Sequence, residues 1–451
     1  MKEQLNYQQM PVIHQQVAGI DIGSKFHVVA VGDNPKTDVK EFGVSTKALF
    51  EIALFLKEND VQHVAMEATG GYEKPLVSVL QQEGFDVLVT AGANTKNYRR
   101  FKSDVSDAIH IRTLHQLGLL PPIFITDEFA TTIRPLVRMR QSLIEDGADY
   151  IRRIQKTLRL INVRLDATLT DSTSVSGLAI IKAICEGEED GAILAALVDK
   201  HCKKTPAELT QLLTGNWTPS IRLQVQSSYR LYQAVQAEMT RLDAELDRLF
   251  TEHTQHLPRA EATKKKPRKH RNAPKVAVEQ YARQMLGVNL HEIPGFGRTA
   301  ILTLMSEVGE SIHRFNSAKA FAKWLGFTPN NKASGGKLLS RKTLKNKSNL
   351  PNTFRQVANS IGNMKDSNPL VNFFRRVAFK SSRKKAITAT ARKLAVLVYT
   401  MLKRGEAYQP EKLERDQEQV KVMQIRKIKK NLHKFGISIQ DLGWTVDFQT
   451  A

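Results

Sequence analysis

VAGIDIGSKFHVVAVG, residues 17–32, decides the fold. Two β-branched, apolar runs flank Gly23-Ser24-Lys25, the pattern of a hairpin. Asp21 lies inside the first run, where a charge is costly unless it is paired or bound to metal. Reading outward, VKEFGVS (39–45) predicts a third strand, and TKALFEIALFLKEND (46–60) spaces its apolar residues as a helix does. HVAME (63–67) predicts a short buried strand closed by ATGG. YEKPLVSVLQQEG (72–84) predicts a helix stopped by Gly84, FDVLVT (85–90) a strand, and 103–118 a further helix.

The resulting order, β-β-β-α-β-α-β-α, is that of a ribonuclease-H-like α/β domain with helices covering the sheet. Three further carboxylates stand at notable places in it. Glu67 ends an apolar strand, and Asp104 and Asp107 sit three apart at a helix start, on one face. Each has an ordinary alternative: Asp104 as an N-cap, Glu67 as a strand-end residue. Taken with Asp21, they form a set suited to hard divalent cations and phosphoryl transfer.

Beyond this domain the pattern turns helical. Ile151, Ile154, Leu158, Ile161 and Leu165 step by helical spacing. Val225, Ser228, Tyr232, Val235, Met239, Leu242, Leu246 and Leu249 make a heptad seam with one polar break. Two such helices around a less regular stretch (166–220) suggest a protruding antiparallel pair, or else two stripes in a helical core. Residues 255–280 read as a linker. IPGFGRTAILTLMSEVG then has the form of a helix-hairpin-helix: Pro294 and Gly295 turn, Gly297 opens a helix, and Ala300 and Leu304 pack. Such a turn offers backbone N–H groups to a phosphate, though a plain αα-hairpin has the same pattern. In FAKWLGFTPNNKASGGK, Trp324, Leu325 and Phe327 look like core. Asn330, Asn331, Gly335 and Gly336 mark a loop holding Ser334 among Lys332, Lys337, Arg341 and Lys342.

Charge bounds the function. The chain has 451 residues, long enough for two or three domains, and a formal charge of +22. Residues 1–130 carry 12 Lys/Arg against 16 Asp/Glu, so the remainder carries +26. The excess gathers in 264–275, 331–347, 375–385 and 420–434. The first run holds Lys264, Lys265, Lys266, Arg268, Lys269 and Arg271. One such run is usually a solvated face, but four beside an acidic domain point to nucleic acid. Cys185 and Cys202 cannot by themselves make a disulfide framework or a four-ligand zinc site, and a reducing compartment is expected. No apolar run suits a signal peptide or a membrane span, so the expectation is a cytoplasmic protein. The histidines, His63 and His110 among them, show no metal-ligand spacing, and GFG and SGGK lack that of a phosphate-binding loop.

The carboxylate set resembles the DEDD set of RuvC-like transposases. GIDIGSKFHVVAV, AMEATGGY and KSDVSDA are similar to stretches of bacterial insertion-sequence family 110, and HEIPGFGRTAILTLMSEVGESIHRFNSAKAFAKWLGFTPNNKASGGK resembles that family's C-terminal domain. The matches cover about residues 17–165 and 287–365. The resemblance implies a RuvC-like fold and a DNA recombinase guided by a bridge RNA. Asp21, Glu67, Asp104 and Asp107 would hold Mg²⁺ or Mn²⁺. Ser334 aligns with the family's nucleophilic serine, with Ser340 as the fallback, in a site composed from both domains. Donor and target DNA and a homo-oligomer, dimer or tetramer, are the implied partners. The expected organisation is a DEDD domain (1–130), a helical coiled-coil region (131–254), a basic linker (255–284), a mainly helical domain with the serine loop (285–405) and a basic tail (406–451). Residues 166–220, 255–280 and 406–451 exceed what the family needs. A RuvC-like junction resolvase or DNA invertase using only metal, and a non-catalytic nucleic-acid-binding protein, are the competing readings.

Overall fold

Val17–Ile22 (β1) and Phe26–Ala30 (β2) pair antiparallel around Gly23-Ser24-Lys25, as the sequence predicts. In this computed structural model the described residues are 10–96, 103–259, 271–340, 342–343 and 348–413, with 422, 425, 426, 428 and 431–433 of the tail. The chain divides into two units, Met1–Ile125 and Thr126–Ala451.

In the first unit, Val39–Gly43 (β3) adds antiparallel to β2. Thr46–Glu58 (α1) follows, capped by Ser45, whose hydroxyl accepts from Ala48 N. His63–Glu67 (β4), Lys74–Gln82 (α2), Asp86–Thr90 (β5), the short Gly92–Lys96 (α3) and Asp104–Gln116 (α4) complete it. The sheet order is β3-β2-β1-β4-β5, with β1, β4 and β5 mutually parallel. This is the ribonuclease-H-like, RuvC-like mixed sheet. Among the described residues of this unit, only α3 escaped the sequence reading.

Alternation along β1 divides its side chains between two cores. Ala18, Ile20 and Ile22 pack with Ile52, Leu56, Leu76 and Leu80 under α1 and α2. Each such large aliphatic chain, fully buried, contributes about 1.5–3 kcal/mol. On the other face Ala65 meets Ile111 and Leu114 of α4. Gly19 sets how closely α4 approaches: a Cβ there would lie 2.3 Å from the Ala108 carbonyl oxygen and from Arg112 N. The helix backbone therefore rests directly on the central strand.

The second unit opens with Glu128–Leu160 (α5), 33 residues long and capped by Asp127. Leu165–Thr168 (α6), Val175–Glu186 (α7), Gly191–Ala196 (α8) and Pro206–Leu213 (α9) lead to Pro219–Thr254 (α10), 36 residues long. The two long helices are antiparallel: Phe129 lies beside Phe250, Arg140 beside Asp243, and Leu143 beside Met239 and Val235. Stretch 166–220 is more regular than expected. Its helices pack Ile180, Ile184, Leu194 and Leu213 against Ile154, Leu158 and Val225 of the long pair.

Val278–Leu286 (α11), Arg298–Glu307 (α12) and Ala318–Trp324 (α13) follow. Lys332–Ser334 (β6) and Lys337–Ser340 (β7) form a hairpin, and Asn349–Gly362 (α14), Pro369–Lys380 (α15) and Arg383–Arg404 (α16) close the unit. Phe296, Phe321, Phe327 and Phe354 meet edge-on or tilted in its core, and the Tyr399 hydroxyl donates to the Phe315 carbonyl at 2.7 Å. Leu325 and Phe327 are buried as expected, and half-buried Trp324 stacks on Phe321. Residues 272–275, read as linker, are fastened to the helices: Arg140 donates to the Asn272 carbonyl, and Lys275 N donates to Asp243.

Candidate active site

Asp21 is two residues beyond Gly19 and so shares the face that α4 covers. The last paired residues of β1 and β4 are Ile20 and Met66, so Asp21 and Glu67 are next in line at the carboxyl ends of two parallel strands. Helix α4 runs against these strands. His115, near its C-terminus, lies 6.4 Å from His63, the first residue of β4. Its first turn, with Asp104 and Asp107, is therefore directed toward the strand ends that carry Asp21 and Glu67.

The four carboxylates have different surroundings. Asp21 and Glu67 are half-buried, Asp107 is buried and Asp104 exposed. The N-cap of α4 is Ser103, whose hydroxyl accepts from Ser106 N at 3.1 Å in a reciprocal capping box. The capping role considered for Asp104 thus belongs to Ser103, and Asp104 stands at the first helical position. Glu67 Oε2 accepts from the Thr95 hydroxyl at 2.8 Å. A Cβ at Gly92 would sit 1.9 Å from Glu67 Oε1, so this carboxylate packs directly against the glycine that opens α3 and a larger residue there would displace it. The turn after β4 is tied by Glu73, which accepts from Thr69 N and Gly71 N.

Among the described residues, no three His, Cys, Asp or Glu side chains are already gathered around one point as metal ligands. The fold instead directs four carboxylates toward one end of one face, with Glu67 packed against Gly92. Hard divalent cations accept such donors. Thr95 and Gly92 were not found from sequence; His110, which shows no metal-ligand spacing there, has its Nε2 3.4 Å from the Thr95 carbonyl. Small and neutral, Thr95 and Gly92 carry no charge anomaly to mark them.

In the second unit the expected serine loop is a hairpin. Ser334 pairs with Lys337 across Gly335 and Gly336, whose φ values of +54° and +74° suit a two-residue turn of type I′. Ser334, Lys337 and Lys342 are exposed. Ser340 is half-buried and its hydroxyl accepts from Lys342 N, so it serves the base of the hairpin while Ser334 stands at the tip. The side chain of Lys332, and Arg341, Lys264, Lys265, Lys266, Arg268 and Lys269, lie outside the described residues. Arg271 is exposed, beside Asp171 and the Tyr232 hydroxyl. Gly295 turns the chain at φ +77°, and Gly297 caps α12, where a Cβ would meet no atom within 4 Å. The neighbouring Arg298 is spent on Glu279, at 2.7 and 2.8 Å.

A family model for DEDD transposases of the IS110 group, described as a transposase, matches residues 18–163. A second, described as the transposase IS116/IS110/IS902 family, matches residues 288–369. The chain belongs to the IS110 family of transposases. No curated protein matches the sequence. The first IS110 match holds the sheet, α4 and all four carboxylates, and the second holds the Gly295 turn, α12 and the serine hairpin. An IS110 transposase cuts and rejoins DNA, so DNA is its substrate. Among the described residues no helix is long and apolar enough to cross a membrane.

Proposed function

We propose that this IS110 transposase is an RNA-guided DNA recombinase in which Asp21, Glu67, Asp104 and Asp107 hold Mg²⁺ or Mn²⁺ and Ser334 is the nucleophile. The observation that carries the metal assignment is the shared face of Asp21 and Glu67, covered by the helix that bears Asp104 and Asp107. A bound cation would neutralise charge on the scissile phosphate and favour ionisation of the attacking hydroxyl. The exposed tip position of Ser334, beside two glycines and cationic neighbours, supports its assignment.

The chemistry balances without an outside energy source. Ser334 Oγ attacks phosphorus, the Oγ–P bond forms as the P–O3′ bond breaks, and the serine proton ends on the departing 3′ oxygen. A 5′-phosphoserine link results. Attack by a 3′-hydroxyl of another strand reverses the step, rejoins DNA and returns the serine. Lys337 and Lys342, with Lys332 and Arg341, neutralise flanking phosphates, and the N-terminus of α12 beyond the Gly295 turn takes a further one, the Gly297 N–H itself being given to the Gly295 carbonyl at 3.1 Å. The +26 carried by residues 131–451, including Lys264, Lys265, Lys266, Arg268, Lys269 and Arg271, suits a bridge RNA besides the donor and target DNA. Base pairing then chooses the sites while protein grips backbone, in a dimeric or tetrameric assembly.

The test is strand cutting in Mg²⁺ by purified protein. Asp21→Asn and Glu67→Gln each abolish it on this reading, whereas undiminished cutting removes the metal assignment. If Ser334→Ala continues to cut, a metal-only resolvase replaces the proposal. Sequencing of co-purified RNA tests guidance: one structured RNA encoded beside the gene supports it, and random cellular RNA refutes it.

A further inference from the structure

The basic run 375–385 sorts into two sets of cations. Arg375 donates to the carbonyls of Met364 and Lys365, at 2.8 and 3.4 Å. Arg383 donates to the side-chain oxygens of Asn359 and Asn363, both at 2.7 Å, and stacks over Phe374. Arg376 lies over Phe373. Arg375 and Arg383 tie α14, α15 and α16 together, while Arg376 lies along its own helix. Lys380, Lys384 and Lys385 are exposed at the corner where α15 turns into α16.

Phe379 stands at the same corner and is 94% exposed, the highest value among the exposed large apolar side chains described. It follows Arg375 and Arg376 by one helical turn, on their side of α15. From residue 367 to 405 there are ten Lys/Arg and no Asp or Glu. The corner thus offers an open aromatic face within a field of one sign. An isolated exposed aromatic is common, but lysine-rich surroundings without acid are depleted from protein–protein interface cores. They match a strand whose phosphates face the lysines while an unpaired base covers the ring. Paired bases inside a duplex offer no free face, and DNA is the substrate of this family.

We propose that the α15–α16 corner binds single-stranded DNA, with Phe379 stacking on an unpaired base and Lys380, Lys384 and Lys385 neutralising the adjacent phosphates. The surface involves neither Ser334 nor the four carboxylates, so it stands or falls separately from their assignments.

Fluorescence anisotropy of the full-length protein in EDTA tests this, using labelled oligo-dT, a duplex of random sequence and oligo-U. Phe379→Ala should weaken oligo-dT binding about tenfold, in line with stacking on one base, with little change for duplex. Phe379→Trp should keep the affinity. Replacing the three lysines with Gln should lower the salt slope for oligo-dT by about two. Since Phe379 is almost wholly in solvent, its variants should melt as the parent does. Unchanged oligo-dT binding by Phe379→Ala overturns the proposal. So does an equal loss on duplex, a loss on oligo-U alone, or a fall in oligomer mass that would make the ring a protein contact.

Discussion

The Thr95 hydroxyl donates to Glu67 Oε2 at 2.8 Å from a position with no solvent exposure. It also reaches the Gly92 carbonyl at 3.1 Å, so the hydroxyl ties the carboxylate to the backbone of α3. Thr95→Val keeps the shape and removes the bond. Partners of this kind typically govern 10–100-fold in metal affinity or activity, so cutting should fall by about that factor and the Mn²⁺ midpoint should rise. Thr95→Ser should restore both. A valine variant with an unchanged Mn²⁺ midpoint would show that Thr95 only packs.

Gly19 makes a second test of the same site. An alanine methyl there would meet the backbone of α4 at 2.3 Å, and neither strand nor helix backbone can yield as a flexible side chain does. Gly19→Ala should cost about 1–3 kcal/mol by overpacking and displace the helix that carries Asp104 and Asp107. Gly43→Ala, where the nearest atom would be 3.6 Å away, is the matched control. Thermal melting and strand cutting should both drop in the first variant and hold in the second.

Arg140 and Asp243 are almost wholly buried, joined by two hydrogen bonds of 2.6 and 3.2 Å across the long helix pair. Removing either partner strands a charge. Arg140→Met should therefore cost about 3–5 kcal/mol in urea unfolding, and adding Asp243→Leu should recover much of it. Additive losses from the two substitutions would mean that the pair is not coupled.

Acid should loosen the first unit. Burial pushes the His115 pKa down to about 4, and the neighbouring imidazoles of His14 and His63 add to the effect while Asp86 opposes it. The unfolded chain takes up this proton near 6.5, so stability is complete above that pH and is lost progressively down to about 4, by up to about 3 kcal/mol. His14 belongs to the segment fastened to the end of α4, where Ile13 N and His14 N donate to the Gln116 carbonyl. His115→Phe should flatten the melting temperature between pH 6.5 and 4. An equally steep profile in that variant would place the titration elsewhere.

The sheet was legible because its strands are short apolar runs broken by Gly and charged turns, and their observed ends fall within about two residues of the reading. Asp21 was legible for the converse reason, a charge inside such a run. The hairpin at Ser334 was not, because a Gly-Gly pair in polar surroundings reads as a loop until its register is known. Stretch 166–220 hid its order in helices of 4 to 12 residues, too short for periodicity to declare. The heptad seam drifts at its end, where buried Phe250 replaces half-buried Leu249. A straight helix rotates about 20° per heptad relative to a 3.5-residue repeat, which accounts for the change. Arg140 and Asp243 lie 103 residues apart, and nothing in sequence couples them.

The most direct test of the account is to trap the protein on DNA during cutting and map the attachment site by peptide mass spectrometry. The account predicts a 5′-phosphate ester on Ser334, formed only with divalent metal and absent from Asp21→Asn and Ser334→Ala. Cut DNA with no protein attached, or an adduct that persists in Ser334→Ala, would contradict it.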